Sequence, residues 1–140
     1  MAESAKTLSG GCACGAVRYQ VDAEPFMMGC CHCRDCQRQT GSAYFPAVMV
    51  PAAALKVEGT PQSYVAKADN GNAVTRVFCP RCGSTLWAWS SGMPEGRTLS
   101  AASLDDPSRF VPGMHVYTAS AQPWDVIAPG IPRFERMPAP

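Results

Sequence analysis

Charge is scarce in this sequence and unpatterned. Lysine, arginine, aspartate and glutamate make up 16 % of the 140 residues, against about a quarter in an average globular chain, and twelve basic residues meet eleven acidic ones with no run of either sign. A phosphate-tracking surface needs a basic patch, so nucleic acid is not expected as a partner. Long apolar runs are missing too. The longest nearly apolar stretch, Ala43 to Leu55, is broken by Pro46 and Pro51, and Met1 to Ser9 holds no hydrophobic region of the signal-peptide type. The expectation is a soluble cytoplasmic protein with no membrane partner. Windows for a long helix are the third absence, since thirteen prolines and twelve glycines are scattered over the whole length.

What remains is a chain in which 46 % of residues are aliphatic, aromatic or sulfur-bearing, enough for one packed core over residues 1–140. Short strands suit it best. Ala16 to Val21, Ala43 to Val50, Leu55 to Glu58, Gln62 to Ala66, Ala73 to Phe78, Ser84 to Trp89, Arg97 to Ser103 and His115 to Thr118 are rich in β-branched and aromatic residues. The fold class expected is mainly β, with short antiparallel strands in small sheets and little helix. Asn70-Gly71 predicts a hairpin because both residues tolerate positive φ. Only Arg34 to Thr40 reads as helix, with Gly41 placed to close it. The tail from Pro123 to Pro140 is expected to wrap the surface in extended form, anchored by Trp124, Ile127 and Phe134.

The eight cysteines carry the chemistry. They bunch as Cys12 and Cys14, then Cys30, Cys31, Cys33 and Cys36, then Cys79 and Cys82. Disulfides close long loops from dispersed half-cystines, whereas metal sites gather ligands two or three residues apart, so the bunching points to metal. Cys79-Pro80-Arg81-Cys82-Gly83 has the form of a zinc knuckle, and Cys12-Ala13-Cys14-Gly15, read as extended chain, presents two sulfurs on one face. Together these four make a closed, structural zinc site that pins the N-terminal segment to a much later part of the chain.

In the central knot, strand alternation sends Cys31 and Cys33 one way and Cys30 and His32 the other, while Cys36 returns after a short turn. Cys31, Cys33 and Cys36 thus make a three-sulfur zinc site with an open fourth position, the arrangement that separates catalytic from structural zinc. Two zinc ions per chain follow. Three thiolates leave the cluster at a formal −1, which disfavours water activation and suits a thiol that attacks a carbonyl carbon. Cys30 reads as a small buried hydrophobe, and His32 as a hydrogen-bonded structural histidine. Arg34, Gln37, Thr40, Ser42, Tyr44, Trp87 and His115 are candidates for a substrate pocket. The competing reading is a non-catalytic thiol carrier or protein-binding module with two structural zincs. Metal-assisted hydrolysis is disfavoured by the sulfur-rich shell.

Gly10-Gly11-Cys12-Ala13-Cys14-Gly15-Ala16-Val17-Arg18-Tyr19, Cys31-His32-Cys33-Arg34-Asp35-Cys36-Gln37 with Thr40-Gly41, Phe78-Cys79-Pro80-Arg81-Cys82-Gly83-Ser84, and Leu104-Asp105-Asp106-Pro107 with His115-Val116-Tyr117 and Trp124 stand in this order. In these motifs the sequence resembles the glutathione-dependent formaldehyde-activating enzymes, a family that also takes in centromere protein V. The resemblance implies a mostly β fold like that of Mss4. It also implies a structural zinc on Cys12, Cys14, Cys79 and Cys82 and a catalytic one on Cys31, Cys33 and Cys36. The activity implied is condensation of formaldehyde with glutathione to S-(hydroxymethyl)glutathione, formally a carbon–sulfur lyase reaction. Its partners are a small thiol, glutathione or another, and an aldehyde.

Overall fold

The computed structural model describes residues 7–138. Ten strands and one helix follow one another: β1 (Thr7–Gly11), β2 (Arg18–Asp22), β3 (Met27–Cys31), α1 (Arg34–Thr40), β4 (Phe45–Pro51), β5 (Leu55–Glu58), β6 (Gln62–Lys67), β7 (Ala73–Phe78), β8 (Thr85–Ser90), β9 (Gly96–Ser100) and β10 (His115–Val116). They form a three-stranded sheet, β1-β2-β5, and a seven-stranded sheet in the order β10-β3-β4-β9-β8-β7-β6. The pairings are antiparallel except for β10, which lies parallel to β3. The mainly β character read from composition is the observed one.

Alternation along the strands builds the core between the sheets. On β2, Tyr19 and Val21 are buried while Arg18, Gln20 and Asp22 face out. They pack with Leu8 from the small sheet against Val48, Val50, Val77, Leu86, Trp87 and Leu99 from the large one. Tyr19 meets the Trp87 ring edge-on at 6.0 Å and bonds Ser103 Oγ through its hydroxyl at 2.6 Å. Trp87, named as a pocket candidate, is therefore a core residue, because its inward register on β8 carries it into this layer. β4 is apolar nearly throughout, as a strand flanked by β3 and β9 requires.

Local expectations met different fates. The helix runs over Arg34–Thr40, and Gly41 closes it at φ 67 with its N–H on Gln37 O at 2.9 Å. The hairpin between β6 and β7 exists, but only Gly71 takes positive φ (89°). Gly71 N–H bonds Ala68 O and Ala68 N–H bonds Asn72 O, so the loop is a three-residue type rather than a two-residue one. Ala101–Ser103, expected as the end of a strand, is a 3-10 turn, and Thr118, the expected end of another, begins the 3-10 turn Thr118–Ser120. β1 and β3 were not predicted. The tail does run along the surface, with His115 N–H on Pro132 O and Phe134 N–H on His115 O, both at 2.9 Å. Ile127 and Phe134 are half-buried, but Trp124 is 67 % exposed and anchors nothing; Asp125 beside it turns inward instead. Residues 139–140 of the predicted tail lie outside the described residues. No helix among the described residues is long and apolar enough to cross a membrane.

Candidate metal centres and their cleft

The fold gathers the cysteines into two groups, with all eight thiols free. Within each group the sulfurs lie no more than 4.8 Å apart: Cys12, Cys14, Cys79 and Cys82 in one, Cys31, Cys33 and Cys36 in the other. Cys30 stays out, buried on the opposite face of β3, with its thiol pushed up to about 11 by burial and the nearby Asp125.

The four-cysteine group forms where two tight turns meet. A register shift between Val77 and Phe78 ends the regular pairing of β7 with β8, and the chain then turns through Cys79 to Gly83, closed by Gly83 N–H on Cys79 O at 2.8 Å. Cys12 to Gly15 is also a turn, closed by Gly15 N–H on Cys12 O at 3.2 Å, and not the extended segment expected. Glycine at positive φ, 81° at Gly15 and 78° at Gly83, permits both turns. Backbone and hydroxyl groups face the sulfurs: Val17 N–H lies 3.2 Å from Cys12 Sγ, and Ser84 Oγ lies 3.2 Å from Cys82 Sγ. The Ser84 contacts hold the Cys82 thiol down to about 5. Zinc–sulfur bonds of about 2.3 Å at tetrahedral angles separate sulfurs by about 3.8 Å. Cys12 to Cys14 is 3.6 Å and Cys14 to Cys79 is 3.8 Å, so the donor set fits that ion.

The three-cysteine group sits where β3 gives way to α1. Cys31 ends the strand, and Cys33 is the N-cap of the helix, its sulfur accepting from Cys36 N–H at 3.3 Å. Cys36 rises from the first turn. The Cys31 and Cys36 thiols both donate toward Cys33, which drops to about 2, while Cys31 is driven up. Cys36 ends up at about 11, its bond with Cys31 outweighed by Cys33 and burial. Three sulfurs gathered this closely are a natural seat for a soft cation. No fourth cysteine, histidine or carboxylate joins them among the described residues.

The triad opens into a cleft of about 430 Å³. Arg34 lines it from within the triad's own turn, and the other walls come from far along the chain: Lys67 and Asp69 at the β6–β7 end, then Tyr117 and Arg136. Arg76, buried on β7, reaches Cys36 Sγ with both Nη atoms at 3.8 Å. Tyr117 is the sole non-glycine residue at positive φ (56°) among the described residues, a conformation costing on the order of 1–3 kcal/mol. Backbone bonds to Arg136 O and from Ser120 N–H hold it there. Its hydroxyl donates to Asp69 Oδ1 at 3.0 Å, and Arg136 pairs with Asp69 Oδ2 at 3.1 Å, so tail and hairpin tip meet beside the triad.

Of the pocket candidates, only Arg34 lines this cleft. Thr40, Ser42 and Tyr44 line a separate cavity of about 680 Å³ beside the four-cysteine turns. The chain returns to the triad after the helix, where Phe45 pairs with Cys31 and packs on the sulfurs. Tyr44, the residue before it, is turned to the other face, its ring 5.3 Å from that of His32. Gln37 is buried, donating to His32 O at 2.7 Å and Ser120 O at 2.9 Å and accepting from Arg34, which makes it a clamp on the loop. His115 is buried against His32. Arg76, Lys67, Tyr117 and Arg136 escaped the sequence reading. A lone arginine at an inward position of the apolar strand Ala73–Phe78 was the one available signal.

A protein of Halomonas elongata, provisionally named a glutathione-dependent formaldehyde-activating enzyme, is 29 % identical over 123 residues, 84 % of this chain and 78 % of its own. An uncharacterized lyase of Schizosaccharomyces pombe is 29 % identical over 84 residues, 59 % of this chain and 58 % of its own. A crystal structure of a Rhodobacter sphaeroides protein shares the fold, with a TM-score of 0.55 at 24 % identity over 69 % of this chain and 87 % of that one. The family model described as glutathione-dependent formaldehyde-activating enzyme matches residues 7–120, and the chain belongs to that family.

Proposed function

We propose that this protein is a single-domain, zinc-dependent carbon–sulfur lyase-type enzyme that joins a glutathione-like thiol to an aldehyde, as an S-(hydroxymethyl)glutathione synthase does. The observation that carries the reading is the difference between the two sulfur groups: four thiols in one, and three at the wall of a cleft in the other. Cys12, Cys14, Cys79 and Cys82 would hold a structural zinc, and Cys31, Cys33 and Cys36 a catalytic one. The catalytic zinc would supply a soft electrophilic centre with one position free, at which a thiol gives up its proton readily.

The chain's own residues do the rest. Asp35, Asp69 and Glu135 line the cleft as well and Arg136 is paired with Asp69, so Arg34 and Lys67 are the cations with which the carboxylates of a peptide-like thiol would pair. As the sulfur attacks the carbonyl carbon, a carbon–sulfur bond forms and the carbonyl oxygen takes up the electron pair and then the proton the thiol gave up, without net oxidation. The Arg34 guanidinium, with N–H groups left over after its bond to Gln37, is the donor on the cleft wall suited to that oxygen, since Tyr117 directs its one hydroxyl proton to Asp69.

The test is cobalt reconstitution followed by glutathione. One metal's absorption spectrum should change and the other's stay constant, and exchange NMR should show hydroxymethyl transfer faster with protein than without it. Two spectroscopically silent metals, or no acceleration, would leave a scaffold without this activity.

A further inference from the structure

Arg76 is a charged residue without an acidic partner. It is 8 % exposed, and no carboxylate lies within ion-pair distance of it among the described residues. Its neighbours are Gln39 Oε1, 3.3 Å from Nη1, and the sulfur of Cys36, 3.8 Å from both Nη1 and Nη2. Burying a guanidinium is costly unless an opposite charge sits beside it, and an amide oxygen supplies only a dipole. The fork is aimed at a sulfur of the triad, and sulfur is the one nearby group able to carry that charge.

We infer that Arg76 is the counter-charge of the three-cysteine centre. The inference rests on the reading that this centre holds a divalent metal. Three thiolates around such an ion sum to a formal −1, and the fixed +1 of Arg76 brings the buried assembly to neutrality. The guanidinium fork spans Cys36 and Gln39 at once, which fixes its charge toward the sulfur. The consequence for the substrate is direct: an incoming sulfur that has lost its proton meets a neutral assembly instead of a net negative one. The four-cysteine group has no such cation in contact with its sulfurs among the described residues, matching a site that takes no anionic substrate. Arg76 is thus a positioning residue, acting through the triad and not on the substrate.

The experiment compares metal retention at the two groups, which act as each other's control. Cobalt-loaded wild type, Arg76→Met and Arg76→Lys are titrated with a chelator while the sulfur-to-cobalt charge-transfer bands are followed, and Cys36→Ser protein identifies the triad's share of the signal. Arg76→Met should weaken the triad's hold on cobalt by about tenfold to a hundredfold, with Arg76→Lys retaining most of the affinity and the four-cysteine group unchanged. Equal losses in the Met and Lys variants, equal losses at both groups, or unaltered retention at the triad would overturn the assignment. Should Arg76→Met fail to fold, Arg76→Gln carries the same comparison, since it keeps a hydrogen-bonding amide and removes the charge. Wild type that binds cobalt only at the four-cysteine group would refute the metal reading itself. Two metals in wild type with no selective loss in the variants would refute Arg76 alone.

Discussion

The rings of His32 and His115 touch, Nε2 of the first lying 3.0 Å from Nδ1 of the second, and they are the chain's two histidines. Both are buried, and Asp125 Oδ2 stands 3.2 Å from His32 Nδ1, close enough to pair though off the line of a good hydrogen bond. Burial lowers the proton affinity of His32 and of His115 in the fold. An unfolded histidine takes its proton near pH 6.5, so as pH falls below that value the unfolded state binds protons the folded state refuses. The stabilisation is therefore complete above about pH 6.5 and drains away below it, by at most about 1.4 kcal/mol per pH unit for each ring. Urea unfolding of wild type and His115→Gln between pH 5 and 8 should show a shallower pH slope in the variant. Identical slopes would mean that the histidines do not drive the acid sensitivity.

Metal content should follow the sulfur grouping. Elemental analysis of single cysteine-to-serine variants is expected to give two zincs per chain for Cys30→Ser, because that thiol lies outside both groups, and one for Cys36→Ser. Cys82→Ser should precipitate or unfold, since the four sulfurs join two turns that no strand pairing holds together. A single zinc in Cys30→Ser would redraw the ligand set.

Leu99 is completely buried on β9 between the sheets, and Leu99→Ala should lower the unfolding free energy by about 2–5 kcal/mol in urea titration. A loss under 1 kcal/mol would show a core able to collapse around the gap.

Arg18 grips Asp105 through two nitrogens, at 2.8 and 2.5 Å, and with help from Ser9 holds the carboxyl down to about 2 from an ordinary 3.8. The carboxylate's contribution is complete above about pH 4 and fades as pH drops through 2. Nearly half of each side chain is open to solvent, so a double-mutant cycle with Arg18→Ala and Asp105→Ala should return at most about 1 kcal/mol of coupling, decreasing with added salt. A larger, salt-independent value would contradict a solvent-screened pair.

At the cleft, Lys67→Ala should raise the concentration of glutathione needed for half-maximal spectral change several-fold, as expected when one exposed ion pair of up to about 1 kcal/mol is removed, whereas Tyr44→Phe should leave it unaltered. The reverse pattern would place the thiol in the larger cavity instead.

The strands Leu55–Glu58 and Ala73–Phe78 and the helix Arg34–Thr40 were legible residue by residue, because alternation, turn residues and the closing glycine agree locally. β1 and β3 were not. Thr-Leu-Ser-Gly-Gly and Met-Met-Gly-Cys-Cys have little intrinsic strand character and are extended because β2 and β4 pair with them. The pairs Cys12 with Cys14 and Cys79 with Cys82 and the trio Cys31, Cys33 and Cys36 could be read from spacing, since each needs only a short turn, whereas the joining of the two pairs followed from their being the ones left over. The cleft could not be read in that way. Lys67, Tyr117 and Arg136 reach the triad through sheet order and the returning tail, while Tyr44, close to it in sequence, is turned to the other face because Phe45 takes the side toward the sulfurs.

The contact between Cys14 and Cys79 spans 65 positions of chain. During synthesis at about 5–20 residues per second, the first pair of sulfurs emerges several seconds before the second. Until Cys82 leaves the ribosome, the leading turn lacks its sulfur partners, although β5, which emerges earlier, already pairs with β2 at Arg18 beside that turn. The newborn polypeptide thus passes through an interval in which the first pair of sulfurs waits for the second, its strands paired before its sulfur group is complete.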